Sequence, residues 1–137
     1  MSARTAISWV LRLFAAIILA QTLFFKFTGA EESRYIFSKI GMEPWGRYLV
    51  GMAELATAVL LVIPRTAWLG GLLGLGVLAG AIFFHLTILG IGVMDDDGVL
   101  FYLALAVFVA CAGVLGLHWA DLRAFIRRWY PSYGFKP

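Results

Sequence analysis

Residues 46–64 read GRYLVGMAELATAVLLVIP, and this stretch decides the fold. From Gly46 to Ile63 it is charged only at Arg47 and Glu54, and Pro64 stops it. Its length comes close to the ~20 residues a helix needs to cross a ~30 Å hydrocarbon layer. Inside that layer no water satisfies the backbone, so each N–H and C=O must be bonded within the segment, and a long apolar run there is a helix. Three more runs of this kind flank it: Ile7–Phe27, Thr66–Ile91 and Gly98–Leu117. The third span in chain order, Thr66–Ile91, is the longest, so tilting or an early end is expected of it.

The expected fold is therefore all-α: a four-transmembrane-helix bundle, with a short interfacial helix between the first and second spans. The 137 residues suffice for a single domain, and no break in composition divides them. Apolar residues make up 62% of the chain and charged residues 14%, with a mean hydropathy of +0.90. A soluble domain carries about 25% charged residues. Cys111 is the single cysteine, which excludes an internal disulfide and any CxxC dithiol chemistry. No nucleic-acid partner is expected; the expected surroundings are the lipid bilayer.

The first run, with Arg4 and Arg12 near its start, has some character of a signal peptide. No small-x-small cleavage site follows FFKFTG, however, and three further spans come after it, so it reads as a helix. Between the first two spans, Thr28 and Glu31 have capping-box spacing. Tyr35, Ile36, Phe37 and Ile40 then form an apolar stripe, consistent with a surface helix over 31–40 or with an ordered loop. The tail 118–137 mixes Trp119, Phe125, Trp129 and Tyr130 with arginines, as at a lipid–water interface.

Counting basic residues orients the chain. With both termini inside, the inner side holds Arg4, Arg12, Arg65, Arg123, Arg127, Arg128 and Lys136. The outer side holds Lys26, Arg34, Lys39 and Arg47, together with six carboxylates. The basic excess favours cytoplasmic termini.

Ionisable groups within the spans carry the functional reading, because each costs at least ~2.5–3.5 kcal/mol in lipid. Glu54 lies roughly 12 Å, and His85 roughly 10 Å, from the outer end of its span at the helical rise. Tyr102 is about four residues into the fourth span by the same register, and Lys26 ends the first. One residue comes from each span, and all four lie in the outer half. Helical spacing places each on a stripe: Arg12, Ala15, Leu19, Thr22 and Lys26; Gly51, Glu54 and Ala58; Gly71, Gly74, Leu78, Ala81 and His85; Tyr102, Ala106, Val109 and Gly113. All four polar residues are thus expected to face the bundle interior, with the Lys26 stem flexible enough to reach Glu54.

Such a cluster provides ligand-binding or proton-relay groups for a lipophilic molecule with polar ends, a quinone or sterol-like compound. It equally describes a network that only fixes helix register. Interfacial tyrosines are common, which favours an anchoring role for Tyr102. Asp95, Asp96 and Asp97 are weak metal candidates through oxygen ligands, although DDDG more often forms a solvated turn and helix cap. Gly70, Gly74, Gly76 and Gly80 give overlapping GxxxG spacings, suited to a homo-oligomer or to packing within one bundle. Cys111 reads as a small core residue.

The block KFTGAEESRYIFSKIGMEPWGRYLVGMAELATAVLLVIPRTAWLGG, Lys26 to Gly71, resembles the bacterial DoxX-like family. Lys26 and Gly29 match its turn after the first helix, and Gly51, Glu54 and Leu55 match its GxxEL motif. AGAIFFHLTILGIG, with His85, is similar to its third helix. The likeness extends over nearly the whole chain and is weaker after Gly92. It implies a four-helix protein of the bacterial inner membrane. Family relatives include the small membrane subunit of a thiosulfate:quinone oxidoreductase, proteins associated with redox-stress enzymes, and a distant receptor-assembly chaperone. In outline the family is also similar to four-helix sterol-isomerase and ligand-binding membrane proteins. The implied function is a redox-associated subunit binding a quinone or similar lipophile, with electrons supplied by a soluble or membrane redox partner protein, because no flavin, haem or iron–sulfur signature is present. A non-catalytic scaffold or assembly factor is the alternative. Four short helices leave little room for a transport path, and no inverted repeat is visible.

Overall fold

In the computed structural model, residues 1–131 are described, and every regular element among them is helical. Lys136 and the end of the 118–137 tail lie outside the described residues. Helix α1 spans Ala3–Thr28, α2 Glu31–Lys39, α3 Trp45–Val62, α4 Ala67–Phe84, α5 Val99–Leu117 and α6 Trp119–Trp129. A 3₁₀ turn, Pro64–Thr66, joins α3 to α4, and α4 runs into a π turn over His85–Leu89. Four stretches are long and apolar enough to cross a membrane: Ala3–Thr28, Trp45–Val62, Pro64–Leu89 and Val99–Leu117.

The boundaries follow local chemistry. Ser2 caps α1, its hydroxyl accepting the Thr5 N–H at 3.1 Å, so the helix begins before the apolar run does. Gly29, at φ 68°, ends it in the left-handed region, where a residue lacking Cβ is least strained. The expected Thr28–Glu31 capping box does not form. Thr28 is inside α1 and its hydroxyl donates to the Phe24 carbonyl at 2.6 Å, while α2 starts after Ala30 with no side-chain cap. The third span keeps its length, 26 residues over Pro64–Leu89, and changes pattern along it: a 3₁₀ turn opens it at Pro64–Thr66, and the α-pattern gives way to a π turn at His85.

The spanning helices form a ring in the order α1, α3, α4, α5, each packed on its two antiparallel neighbours. Helix α2 packs against α1, α3 and the π turn at one end, and α6 against α4 and α5 at the other. On α2, Ser33 and Phe37 are buried, so its apolar side is turned into the protein. The core contains Ala15, Leu19, Leu61, Ala104, Val107, Cys111 and Val114. Leu55, Val59 and Val62 point outward on the opposite face of α3.

Close helix approach depends on three α4 glycines. A Cβ on Gly71 would lie 3.0 Å from the Cys111 carbonyl, and one on Gly74 would lie 2.5 Å from the Cys111 sulfur and 3.1 Å from Thr57 Cγ2. Gly70 abuts the α3 backbone at Leu61 in the same way. Gly70 and Gly74 are therefore committed to packing within one bundle, whereas a Cβ on Gly76 or Gly80 would meet nothing within 4 Å. We expect Gly74→Ala to destabilise the purified protein by about 1–3 kcal/mol through overpacking. Gly76→Ala should be neutral or stabilising by up to about 1 kcal/mol from helix propensity. Thermal unfolding in detergent checks both; equal midpoints for the two variants would contradict the close contact at Gly74.

Candidate functional site

The ends of α1, α3 and α5 that meet beside α2 enclose a cavity of about 480 Å³, whose wall also includes the C-terminal part of α4 and its π turn. The wall is mostly apolar, with Ile18, Phe37, Val50, Leu78, Phe84, Leu103 and Val107 among its residues. Its polar groups are Gln21, Thr22 and Lys26 from α1, Glu32 and Ser33 from α2, Glu54 from α3 and His85 from the π turn. Three of the four residues singled out from sequence thus meet at one site.

At its centre the Lys26 ammonium lies 3.0 Å from Glu54 Oε2. Glu54 is 6% exposed, and the pairing gives its charge a partner in a region of low dielectric. The Thr22 hydroxyl lies 3.3 Å from the same oxygen but 2.9 Å from the Leu19 carbonyl, and its one proton serves the nearer acceptor better. Glu54 Oε1 receives no hydrogen bond from any described residue, yet it is not among the sealed, unpartnered atoms, so it is accessible from the cavity.

His85 is also 6% exposed and packs edge-on against Phe101, ring centroids 5.6 Å apart. The π turn determines its setting. Where the hydrogen-bond pattern widens to i→i+5, the Gly90 N–H reaches the His85 carbonyl at 2.9 Å, and His85 Nδ1 comes within 2.8 Å of the Gly90 carbonyl. A carbonyl only accepts, so Nδ1 carries a proton; in the neutral ring Nε2 is then an acceptor. No described residue bonds to Nε2. No hydrogen bond joins His85 to Glu54, and each of them presents an unused acceptor to the cavity.

Tyr102 is not part of this arrangement. It is 60% exposed, packs on Phe101 and Gly98, and is absent from the cavity wall. The inward face of α5 is Phe101, Ala104, Val107, Ala110, Cys111 and Val114, and Val109, on the stripe of Tyr102, is 67% exposed. Helix α5 is apolar on all sides, so its sequence has no period that distinguishes inside from outside.

Several contributors were not evident from sequence. Arg47, there only one of the outer basic residues, is buried. Its Nε and Nη2 donate to Glu43 at 2.8–3.0 Å, its Nη1 donates to the Lys26 carbonyl, and its guanidinium lies over the Tyr48 ring. It therefore fixes the last turn of α1, and with it the Lys26 side chain, against α3. Its position one residue after the start of the second span was the available signal. Glu32 and Ser33 enter the wall because α2 lies on the bundle end; their i, i+1 spacing gave no indication of a shared role.

Of the three aspartates, Asp96 alone caps the chain entering α5. Asp96 Oδ1 accepts from the Val93 and Gly98 N–H groups at 2.9 and 2.8 Å, and Oδ2 from Leu100 at 3.1 Å, which starts α5. Asp95 and Asp97 are exposed, and no group of three or more potential metal ligands gathers among the described residues. The carboxylates do not converge because Asp96 is turned inward to the backbone.

Residues 7–87, more than half of the chain, match the DoxX family model. The chain belongs to the DoxX family. The matched segment includes Lys26, Glu54 and His85 and ends before α5 and Tyr102, so this DoxX protein has its polar cluster within the family-defining part. Family and helices together make it a multi-pass membrane protein. No curated protein and no solved structure matches the chain closely enough to show kinship.

Two carboxyls at the α2 end respond oppositely to pH. Burial, followed by the nearby Asp96 charge, holds Glu32 above its usual range. For Asp96, burial pushes upward, but the three N–H bonds and the proximity of His85 outweigh it, and the net direction is down. A carboxyl depressed in the folded state contributes stability above its unfolded pKa, and this is lost as pH falls through the folded value. Glu32 contributes in the opposite sense, favouring the fold at low pH and losing that contribution as pH rises through its raised value. We expect Asp96→Ala to lower the thermal midpoint at pH 7 by the equivalent of about 0.5–2 kcal/mol, the typical cost of removing a cap. The gap to wild type should narrow below about pH 4, where carboxylates protonate. A gap independent of pH would show that the charge of Asp96 contributes nothing.

Proposed function

We propose that this DoxX protein binds a quinone, preferentially as its quinol, in the cavity between α1, α3, α4 and α5, and serves as the membrane subunit of a redox system. The observation that carries this reading is the pair of unused acceptors, Glu54 Oε1 and His85 Nε2, at the polar end of an apolar cavity that also holds the Lys26 ammonium. A cavity of about 480 Å³ falls within the range of small-molecule sites, roughly 300–1,000 Å³, which are typically apolar with a few convergent polar groups. Quinol hydroxyls donate to such acceptors, and Lys26 can donate to an oxygen of the same head group. Oxidising a quinol releases two protons and two electrons. Glu54 and His85 are suited to accept the protons, and a partner protein with its own redox group would take the electrons.

The same reading assigns the α6 end to the cytoplasmic side of a bacterial inner membrane. Its support is the excess of basic residues there: Arg4, Arg12, Arg65, Arg123, Arg127 and Arg128 against Lys26, Arg34, Lys39 and Arg47 at the other end. The competing reading, a non-catalytic scaffold, is favoured by the pairing of Glu54 with Lys26, which is complete without any ligand. A homo-oligomer is compatible with either.

Purified protein should retain endogenous quinone through extraction, and added quinol should raise its thermal midpoint. Glu54→Gln should weaken quinol binding about tenfold, the equivalent of one hydrogen bond to a charged group. The quinone reading fails if saturating quinone and quinol leave the midpoint unchanged and no quinone is extracted. A Glu54→Gln variant that is less stable, with ligand response intact, would identify the ion pair as a structural link.

A further inference from the structure

We propose that a second pocket, at the α6 end of the bundle, binds a phosphate group, with Arg12 as the buried counter-charge. This pocket, of about 210 Å³, is lined by Arg4, Ser8, Trp9, Arg12, Pro64 and His118, among others. It is separate from the Lys26–Glu54 cavity and independent of any quinone.

Arg12 is 2% exposed, the largest of the fully buried side chains. Its Nε donates to the Leu61 carbonyl in the last turn of α3, and its guanidinium carbon lies 3.8 Å above the centre of the Trp9 ring. Its Nη2 is sealed and has no hydrogen-bond partner, the one such side-chain donor or acceptor among the described residues; its Nη1 bonds no described residue either but is not sealed, so it is the donor turned to the pocket. No described carboxylate forms an ion pair with it. The acid at this end, Asp121, is directed to His118 Nδ1 at 3.1 Å. A carbonyl and an aromatic face do not neutralise a guanidinium, and a buried cation without an anion is strongly disfavoured. Lys26 and Arg47 each have a carboxylate; Arg12 has a pocket.

The other walls suit an oxyanion. The Arg4 guanidinium is held at the pocket by its bond to the Leu117 carbonyl, with further N–H donors remaining. Ser8 bonds His118 Nε2 at 2.8 Å. Since His118 Nδ1 faces a carboxylate, it carries the proton, and Nε2 of the neutral ring accepts from the Ser8 hydroxyl. That bond holds two walls of the pocket in place. Guanidinium forks match the paired oxygens of a phosphate, and the positive end of the α1 dipole is at the same place. The phosphate comes either from the head group of an anionic phospholipid or from solution; the chemistry at Arg12 and Arg4 is common to both.

The test uses the full chain in neutral detergent, titrated separately with inorganic phosphate, phosphatidylglycerol and phosphatidylcholine. Thermal midpoints and native mass spectrometry read out binding. Supporting results are a saturable rise with phosphatidylglycerol well above that with phosphatidylcholine, which identifies a lipid, or a saturable rise with inorganic phosphate, which identifies a small ion. In either case Arg4→Gln, which leaves the buried contacts of Arg12 intact, should weaken binding about tenfold, the equivalent of one charge-assisted hydrogen bond. Arg12→Lys, which keeps the charge and loses the fork, should weaken it too; if it fails to fold, Arg4→Gln decides. The proposal is overturned if neither phosphatidylglycerol nor inorganic phosphate shifts the midpoint, if both phospholipids act alike while inorganic phosphate does nothing, or if Arg4→Gln binds as wild type does.

Discussion

A charge inside the spanning part of a bundle must find an opposite charge or a set of dipoles there, and three such groups tie α1 to α3. Near one end Lys26 meets Glu54 and Arg47 takes the Lys26 carbonyl; toward the other, Arg12 takes the Leu61 carbonyl. None of these links can slide by a residue without stranding a charge in a region of low dielectric. The register of α1 against α3 is therefore set by polar groups, while α4 is positioned on α3 and α5 by glycine contacts and close packing. Specific polar links on one side and small residues on the other are what association in lipid requires, where apolar burial between helices offers little net driving force.

The ring arrangement has a chemical consequence. Because α1, α3, α4 and α5 each contact two neighbours, the centre is filled only where side chains are long enough to meet. Toward α6 it is closed by Leu61, Cys111 and Val114; toward α2 it opens into the cavity beside Gly76, Gly80 and Ala81. Polar groups at that open end are held by backbone features as much as by each other: Lys26 by the Gly29 turn and Arg47, His85 by the π turn.

Much of this was legible in the sequence because lipid penalises exceptions. Glu54 and His85 stood out as ionisable residues deep within apolar runs, and Lys26 stood out by helical spacing and reach. Tyr102 faces outward, not inward as its helical stripe leads one to expect, because a tyrosine is tolerated almost anywhere along a span and α5 has no polar face to show which side is inward. The position of Arg47 just inside the second span is a weak signal, because a basic residue at a span end more often reaches water than a buried partner. Helix α2 showed its amphipathic stripe, but an amphipathic helix lies equally well on lipid or on the end of its own bundle, and only tertiary contacts separate the two. The Asp95–Asp97 run looked like a possible oxygen cage, and composition could not reveal that Asp96 points toward backbone amides.

The π turn at His85–Leu89 makes the chain one residue longer there than an α-helix covering the same rise. Removing a single residue between Leu86 and Leu89 would let α4 continue regularly, rotating everything beyond the deletion by about 100° relative to His85. The Gly90 carbonyl would move away from Nδ1, and the imidazole would be free to change which nitrogen carries its proton. One surplus residue thus acts as a tautomer lock, and a length difference that looks neutral between two DoxX sequences is enough to change what this histidine offers to the cavity.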